Sequence, residues 1–74
     1  MEKLSFQLEK NGKYWHVEYV ESKKIFATGK SKREVITKVI SAGRTYDECT
    51  IKLINNNGNV ILDRIFKKRN ISAN

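Results

Sequence analysis

The stretch Ser31-Lys32-Arg33-Glu34-Val35-Ile36-Thr37-Lys38-Val39-Ile40-Ser41-Ala42-Gly43 decides the fold. Ser31 and Glu34 have the spacing of a capping box, in which each side chain satisfies a backbone N–H left free in the first turn. Val35, Ile36, Val39, Ile40 and Ala42 fall on one stripe at helical spacing, and Gly43 suits a left-handed stop. The β-branched residues among them lose rotamer freedom in a helix and by propensity favour a strand. Start signal, stop signal and stripe outweigh that weaker preference, so the spacing predicts one helix over 31–43. A single amphipathic helix needs a sheet to cover, and both flanks supply strands.

Upstream, Lys3 to Lys10 alternates Leu4, Phe6 and Leu8 with polar residues, the pattern of a half-buried strand. Asn11-Gly12 follows as a hairpin signal, and Lys13 to Glu21 returns. With Asn11 and Gly12 as the two turn residues, Leu8 faces Trp15, Phe6 faces Val17 and Leu4 faces Tyr19, while Gln7–His16 and Ser5–Glu18 lie on the other side. Glu21-Ser22-Lys23-Lys24 reads as a second turn, leading into the short strand Ile25–Thr28 with Phe26 beside Tyr19. Gly29-Lys30 releases the chain into the helix.

Downstream, Tyr46 to Ile54 puts Cys49, Ile51 and Leu53 on one face, Asn55-Asn56-Asn57-Gly58 turns, and Val60 to Phe66 returns. A four-residue loop pairs Leu53 with Val60 and Ile51 with Leu62, in preference to a register that sets Ile51 opposite Arg64. Ile54, Ile61 and Ile65 then share the other face, either as a second packed layer or as an exposed strip able to meet a partner. The expected class is α+β: an antiparallel sheet of four to five strands in β-β-β-α-β-β order, with the helix packed on the face bearing Phe6, Trp15, Val17 and Tyr19. One domain spans 1–69, and the polar tail 70–74 frays.

At 74 residues the chain has room for one core and no deep internal site. No run of about 18 apolar residues is present to form a membrane span, and the start Met1–Phe6 lacks the apolar core of a signal peptide. The lone Cys49 has no internal disulfide partner, which favours a reducing, cytoplasmic setting. The net charge of +7 is unevenly placed. Residues 1–21 carry three lysines against four glutamates, residues 22–44 seven bases against Glu34 alone, and residues 45–74 five bases against three acids. Lys32 and Arg33 fall in the first helical turn, where the macrodipole disfavours cations. They are either solvated bases at mildly poor positions or the seat of an anion.

Catalytic constellations are nearly absent. One His and one Cys leave no multi-ligand His/Cys metal centre, so no metal and no cofactor are expected. His16 and Cys49 are a base and a nucleophile in principle, but Cys49 belongs to an apolar strand face, where a thiol behaves as a small hydrophobe. The glycines sit singly at turns and caps and form no phosphate-cradling cluster. Trp15 and Tyr19 cover the sheet, whereas alternation points Tyr14 outward, where it could stack on a base.

Short motifs also carry a resemblance. The succession W-x-V, an aromatic, (S/T)-K-x-E-A-I opening a helix, a strand, G-x-I and a last strand resembles a group of small bacterial domains of unknown function. Here these are Trp15-His16-Val17, Phe26, Ser31–Ile36 with Val35 at the Ala position, Thr50–Ile54, and Gly58-Asn59-Val60. The resemblance implies the β-β-β-α-β-β fold and no activity. The segment Lys13–Ala42 is also similar to the arm-binding domains of tyrosine recombinases, in which a helix-backed three-stranded sheet enters DNA. That likeness implies contacts from Tyr14, His16, Glu18 and Val20, the side chains turned away from the helix. Richness in Lys, Asn and Ile fits an AT-rich bacterial or phage genome.

The expected function is that of a non-enzymatic basic binding module. Lys23, Lys24, Lys30, Lys32, Arg33, Lys38 and Arg44, with Tyr14, are the candidate nucleic-acid or anion contacts, with little sequence readout. The alternative is protein interaction: an inhibitor or adaptor on an acidic protein surface, or a homodimer through a sheet edge or through Ile54, Ile61 and Ile65.

Overall fold

The computed structural model describes residues 2–67, so Met1, Lys68, Arg69 and the expected frayed tail lie outside the described residues. Its elements are β1 (Glu2–Asn11), β2 (Tyr14–Tyr19), β3 (Ile25–Gly29), α1 (Lys32–Gly43), β4 (Glu48–Asn55) and β5 (Val60–Lys67). They form the α+β fold in the expected β-β-β-α-β-β order, with one five-stranded sheet ordered β3-β2-β1-β4-β5. The sheet is mixed rather than antiparallel, because β1 and β4 run parallel. The reason lies in the single crossover. After β3 the helix carries the chain back across one face, so β4 must run in the direction of β3, which is also that of β1.

The helix lies on the face lined by Phe6, Leu8, Val17, Cys49, Ile51, Leu53 and Phe66, and it inserts Val35 and Val39 among them. Trp15, Tyr19, Phe26, Ile36 and Ile40 are half-buried at the rim. Phe6, Tyr19 and Phe26 make a three-ring cluster with centroids 4.9–5.6 Å apart; Phe26 lies beside Tyr19 as the sequence pattern implied, and the two rings meet edge-on. No polar side chain is buried among the described residues.

Both hairpin registers differ from the sequence-based pairing. In the first, Leu8 faces Val17, Phe6 faces Tyr19 and Lys10 faces Trp15. Gly12, at φ +65°, takes the first turn position and Lys13 the second, instead of Asn11-Gly12. A glycine leading a two-residue loop is the II′ pattern, which needs positive φ only there. In the last hairpin, Leu53 faces Leu62 and Ile51 faces Arg64, the pairing that apolar matching had disfavoured. The Asn55 side chain selects it: Oδ1 accepts from the N–H groups of Asn57 and Asn59, both at 2.9 Å, and Gly58 adopts φ +87°. Arg64 is tolerated because β5 is an edge strand, where its guanidinium sits 5.0 Å from the Phe66 ring centroid and stays exposed.

An irregularity opposite Leu53 and Ile54 absorbs one extra residue, and Ile61 packs against the core. Ile54, Ile61 and Ile65 therefore do not form one strip. Ile54 is half-buried on the open face, and Ile65 is exposed there.

Candidate nucleic-acid interface

The helix entrance is built by its own sequence. Ser31 is extended at φ −131° and its Oγ accepts from the Glu34 N–H at 3.1 Å. The reciprocal arm is displaced by one residue: Glu34 Oε1 accepts from the Lys30 N–H at 3.3 Å rather than from Ser31. The Glu34 side chain lies over Gly29, where an added Cβ would stand 2.9 Å from its Cδ. Its other oxygen is 3.6 Å from Lys38 Nζ, and that ammonium also donates to the Thr28 carbonyl at 2.8 Å. Lys38 is thus a strut between helix and β3, with its charge matched. The one acid of segment 22–44 is fully engaged in this strut and in the cap.

Lys30, Lys32 and Arg33 are left exposed, with no acidic partner among the described residues. The strand register adds to them. Lys10, Trp15 and Gly29 stand in one row across β1, β2 and β3. The residues just beyond that row, including Lys13 and Tyr14, therefore share the end of the sheet from which α1 starts. Lys10 lies with Nζ 5.7 Å from the Trp15 ring centroid. Tyr14 is 55% exposed, so its ring is accessible at the same end. Lys10 and Lys13 are not legible in the charge along the chain, because segment 1–21 is net acidic. The coincident ends of three neighbouring strands were the signal that could have found them.

The other candidates lie elsewhere. Lys23 and Lys24 occupy the β2–β3 turn, which begins one residue earlier than expected. Tyr19 N–H donates to the Lys24 carbonyl and Lys23 N–H to the Tyr19 carbonyl, both at 2.9 Å, with Lys23 left-handed at φ 63°. From there, β3 takes about 20 Å to reach Lys30 at ~3.3 Å per residue, so the two basic groups mark the ends of one sheet edge. Arg44 caps the far end of α1 through its N–H on the Ile40 and Ser41 carbonyls. It lies about 18 Å from the helix start at ~1.5 Å per residue, outside the cluster.

The open face of the sheet has the opposite character. Glu9 faces His16 across β1 and β2, with Glu18 two residues along. Their ligand atoms all lie within 4.8 Å of one another, and all three residues are half-buried. His16 and Cys49 are on opposite faces and cannot act as a catalytic pair. Burial, and then the nearby Glu2 carboxylate, push the Cys49 thiol up from its ordinary value. No described helix is long and apolar enough to cross a membrane. Comparison with protein-family models, with curated proteins and with solved structures finds nothing that matches this chain.

Proposed function

We propose that the chain is a small non-enzymatic module that binds the phosphate backbone of nucleic acid across one end of its sheet, with little base readout. The observation that carries this reading is a group of exposed cations with no acidic partner among the described residues: Lys30, Lys32 and Arg33 at the helix entrance, with Lys10 and Lys13 from the first hairpin. In the first turn of α1 the Glu34 N–H is taken by Ser31, while the N–H groups of Lys32 and Arg33 point the same way and have no partner within the helix. Tyr14 adds an exposed ring for a base or sugar. Lys23 and Lys24 lengthen the footprint along the β3 edge to about 20 Å, or about six base pairs at ~3.4 Å each. The resemblance to recombinase arm-binding domains supports a DNA partner, but the mode differs. Glu9 and Glu18 make the centre of the open face repel phosphate, so the end of the sheet, rather than that face, meets the backbone.

About five phosphate contacts give a log–log salt slope near −4.5 and a loss of roughly 500-fold in affinity between 50 and 200 mM salt. Anisotropy titration of a random-sequence duplex reads this directly. Neutralising Lys30→Gln, Lys32→Gln and Arg33→Gln together makes the slope shallower by about 2.7. Affinity that stays flat with salt overturns the proposal. The alternative partner is an acidic protein surface, and polyglutamate titrated beside the duplex separates the two. Binding to polyglutamate without binding to the duplex selects the alternative.

A further inference from the structure

On the open face, we propose that Glu9, His16 and Glu18 form a binding site for a divalent transition-metal ion of the zinc class. The donors converge because of the register of the first hairpin. Glu9 stands directly across from His16, and Glu18 follows His16 on the same face of β2. One ligand atom from each residue lies within 4.8 Å of the others. Metal–ligand bonds of about 2.0–2.2 Å in a tetrahedral site place ligand atoms roughly 3.3–3.6 Å apart. Small rotations of two glutamate side chains close that difference. The backbone beneath them is fixed, since β1 and β2 are both interior strands, paired on both sides.

The electrostatics favour a dication at this spot. Two carboxylates sit side by side and half-buried in a chain of net charge +7. Neither forms an ion pair among the described residues, and none of the three side chains has a hydrogen-bond partner there. The in-register neighbours are Thr28 beside His16, and Gln7 and Ile25 on either side of Glu18, all uncharged. One divalent ion cancels the repulsion between the carboxylates and uses the imidazole nitrogen at once. The imidazole selects the metal: nitrogen with carboxylates suits Zn²⁺, Co²⁺, Ni²⁺ or Cu²⁺, whereas Mg²⁺ and Ca²⁺ prefer all-oxygen shells. Three protein ligands leave a position for water.

Calorimetric titration with Zn²⁺ is expected to give one ion per chain, and Co²⁺ to give visible d–d absorption. His16→Gln abolishes both signals. Glu9→Gln and Glu18→Gln each weaken Zn²⁺ at least about tenfold, while Glu21→Gln, the same charge change in an exposed turn, leaves it unchanged. The wild-type chain supplies a test that needs no variant: Co²⁺ should broaden the His16 ring resonances ahead of all others in the NMR spectrum. Absence of one-to-one binding, equal affinity in His16→Gln, or broadening centred elsewhere overturns the site.

Discussion

At its entrance α1 is held by hydrogen bonds and charge, and at its exit by packing. Ser31, Glu34 and Lys38 fix the first turns through contacts that are all solvent-exposed. At the other end Gly43 is buried, and a Cβ there would stand 2.7 Å from Ile51 Cδ1 and 2.8 Å from Phe66 Cδ1. The left-handed stop expected at Gly43 does not occur. Its φ is not positive, the helix continues through it, and Arg44 caps in the right-handed region at φ −79°. The glycine is there because the helix backbone presses onto β4 and β5. The comparison teaches that an end fixed by packing tolerates little change, while an end fixed by exposed polar contacts is free to carry chemistry.

The exit should therefore show the largest effect. Gly43→Ala gains up to about 1 kcal/mol of helix propensity but overpacks against two core side chains at a cost of typically 1–3 kcal/mol. The net loss expected is up to about 2 kcal/mol, with Tm falling by roughly 4–8 °C for each kcal/mol in a chain of this size. Gly43→Asn sharpens the point. Asn tolerates the left-handed region, so it would rescue a left-handed stop; against packing it must be at least as damaging as Ala. Thermal unfolding of both variants, with Asn milder than Ala, would break the comparison.

The entrance comes next in size. Ser31→Ala removes the acceptor for the Glu34 N–H, and loss of such a cap costs typically about 1 kcal/mol. The loss should be confined to α1, because the cap touches no core residue. Amide exchange that quickens at residues 32–35 and stays unchanged in β1 and β4 is the expected readout. Equal acceleration throughout the sheet would mean that the entrance is as tightly coupled to the core as the exit.

Faces were legible in the sequence and partners were not. Alternation assigns Phe6, Leu8, Val17, Ile51 and Leu53 to the core side whatever the register, because both hairpins differ from their expected pairing by two residues. A shift of two preserves the face. It does change who meets whom. It sets Glu9 opposite His16 where a turn at Asn11-Gly12 sets Gln7, so the carboxylate–imidazole cluster is not legible in the sequence. The helix was legible because cap and stripe are local signals. The parallel β1–β4 pairing was not, since it follows from the direction of a crossover rather than from any one residue. Of the basic site, the charge was legible and the clustering was not. Lys38 is consumed by Glu34 and Thr28, Arg44 lies a helix length away, and Lys10 and Lys13 arrive from a segment that is net acidic.

The smallest effect on stability is the most informative about function. Lys32 and Arg33 occupy the first turn of α1, at the positive end of the macrodipole, with no ion-pair partner among the described residues, Glu34 being taken up by Lys38. Reversing them, Lys32→Glu with Arg33→Glu, places favourable charge there, and each change is worth about 0.3–1 kcal/mol at low salt. Repulsion from Glu34 offsets part of this, so the folded chain should be unchanged or slightly more stable in urea titration at low salt. Duplex binding in the same buffer should fall by at least an order of magnitude, since two phosphate contacts become repulsions. Opposite signs in the two measurements would mean that these cations are kept at the entrance for a ligand and at the expense of the helix. A loss of stability together with the loss of binding would assign them to the fold, and the entrance would then resemble the exit.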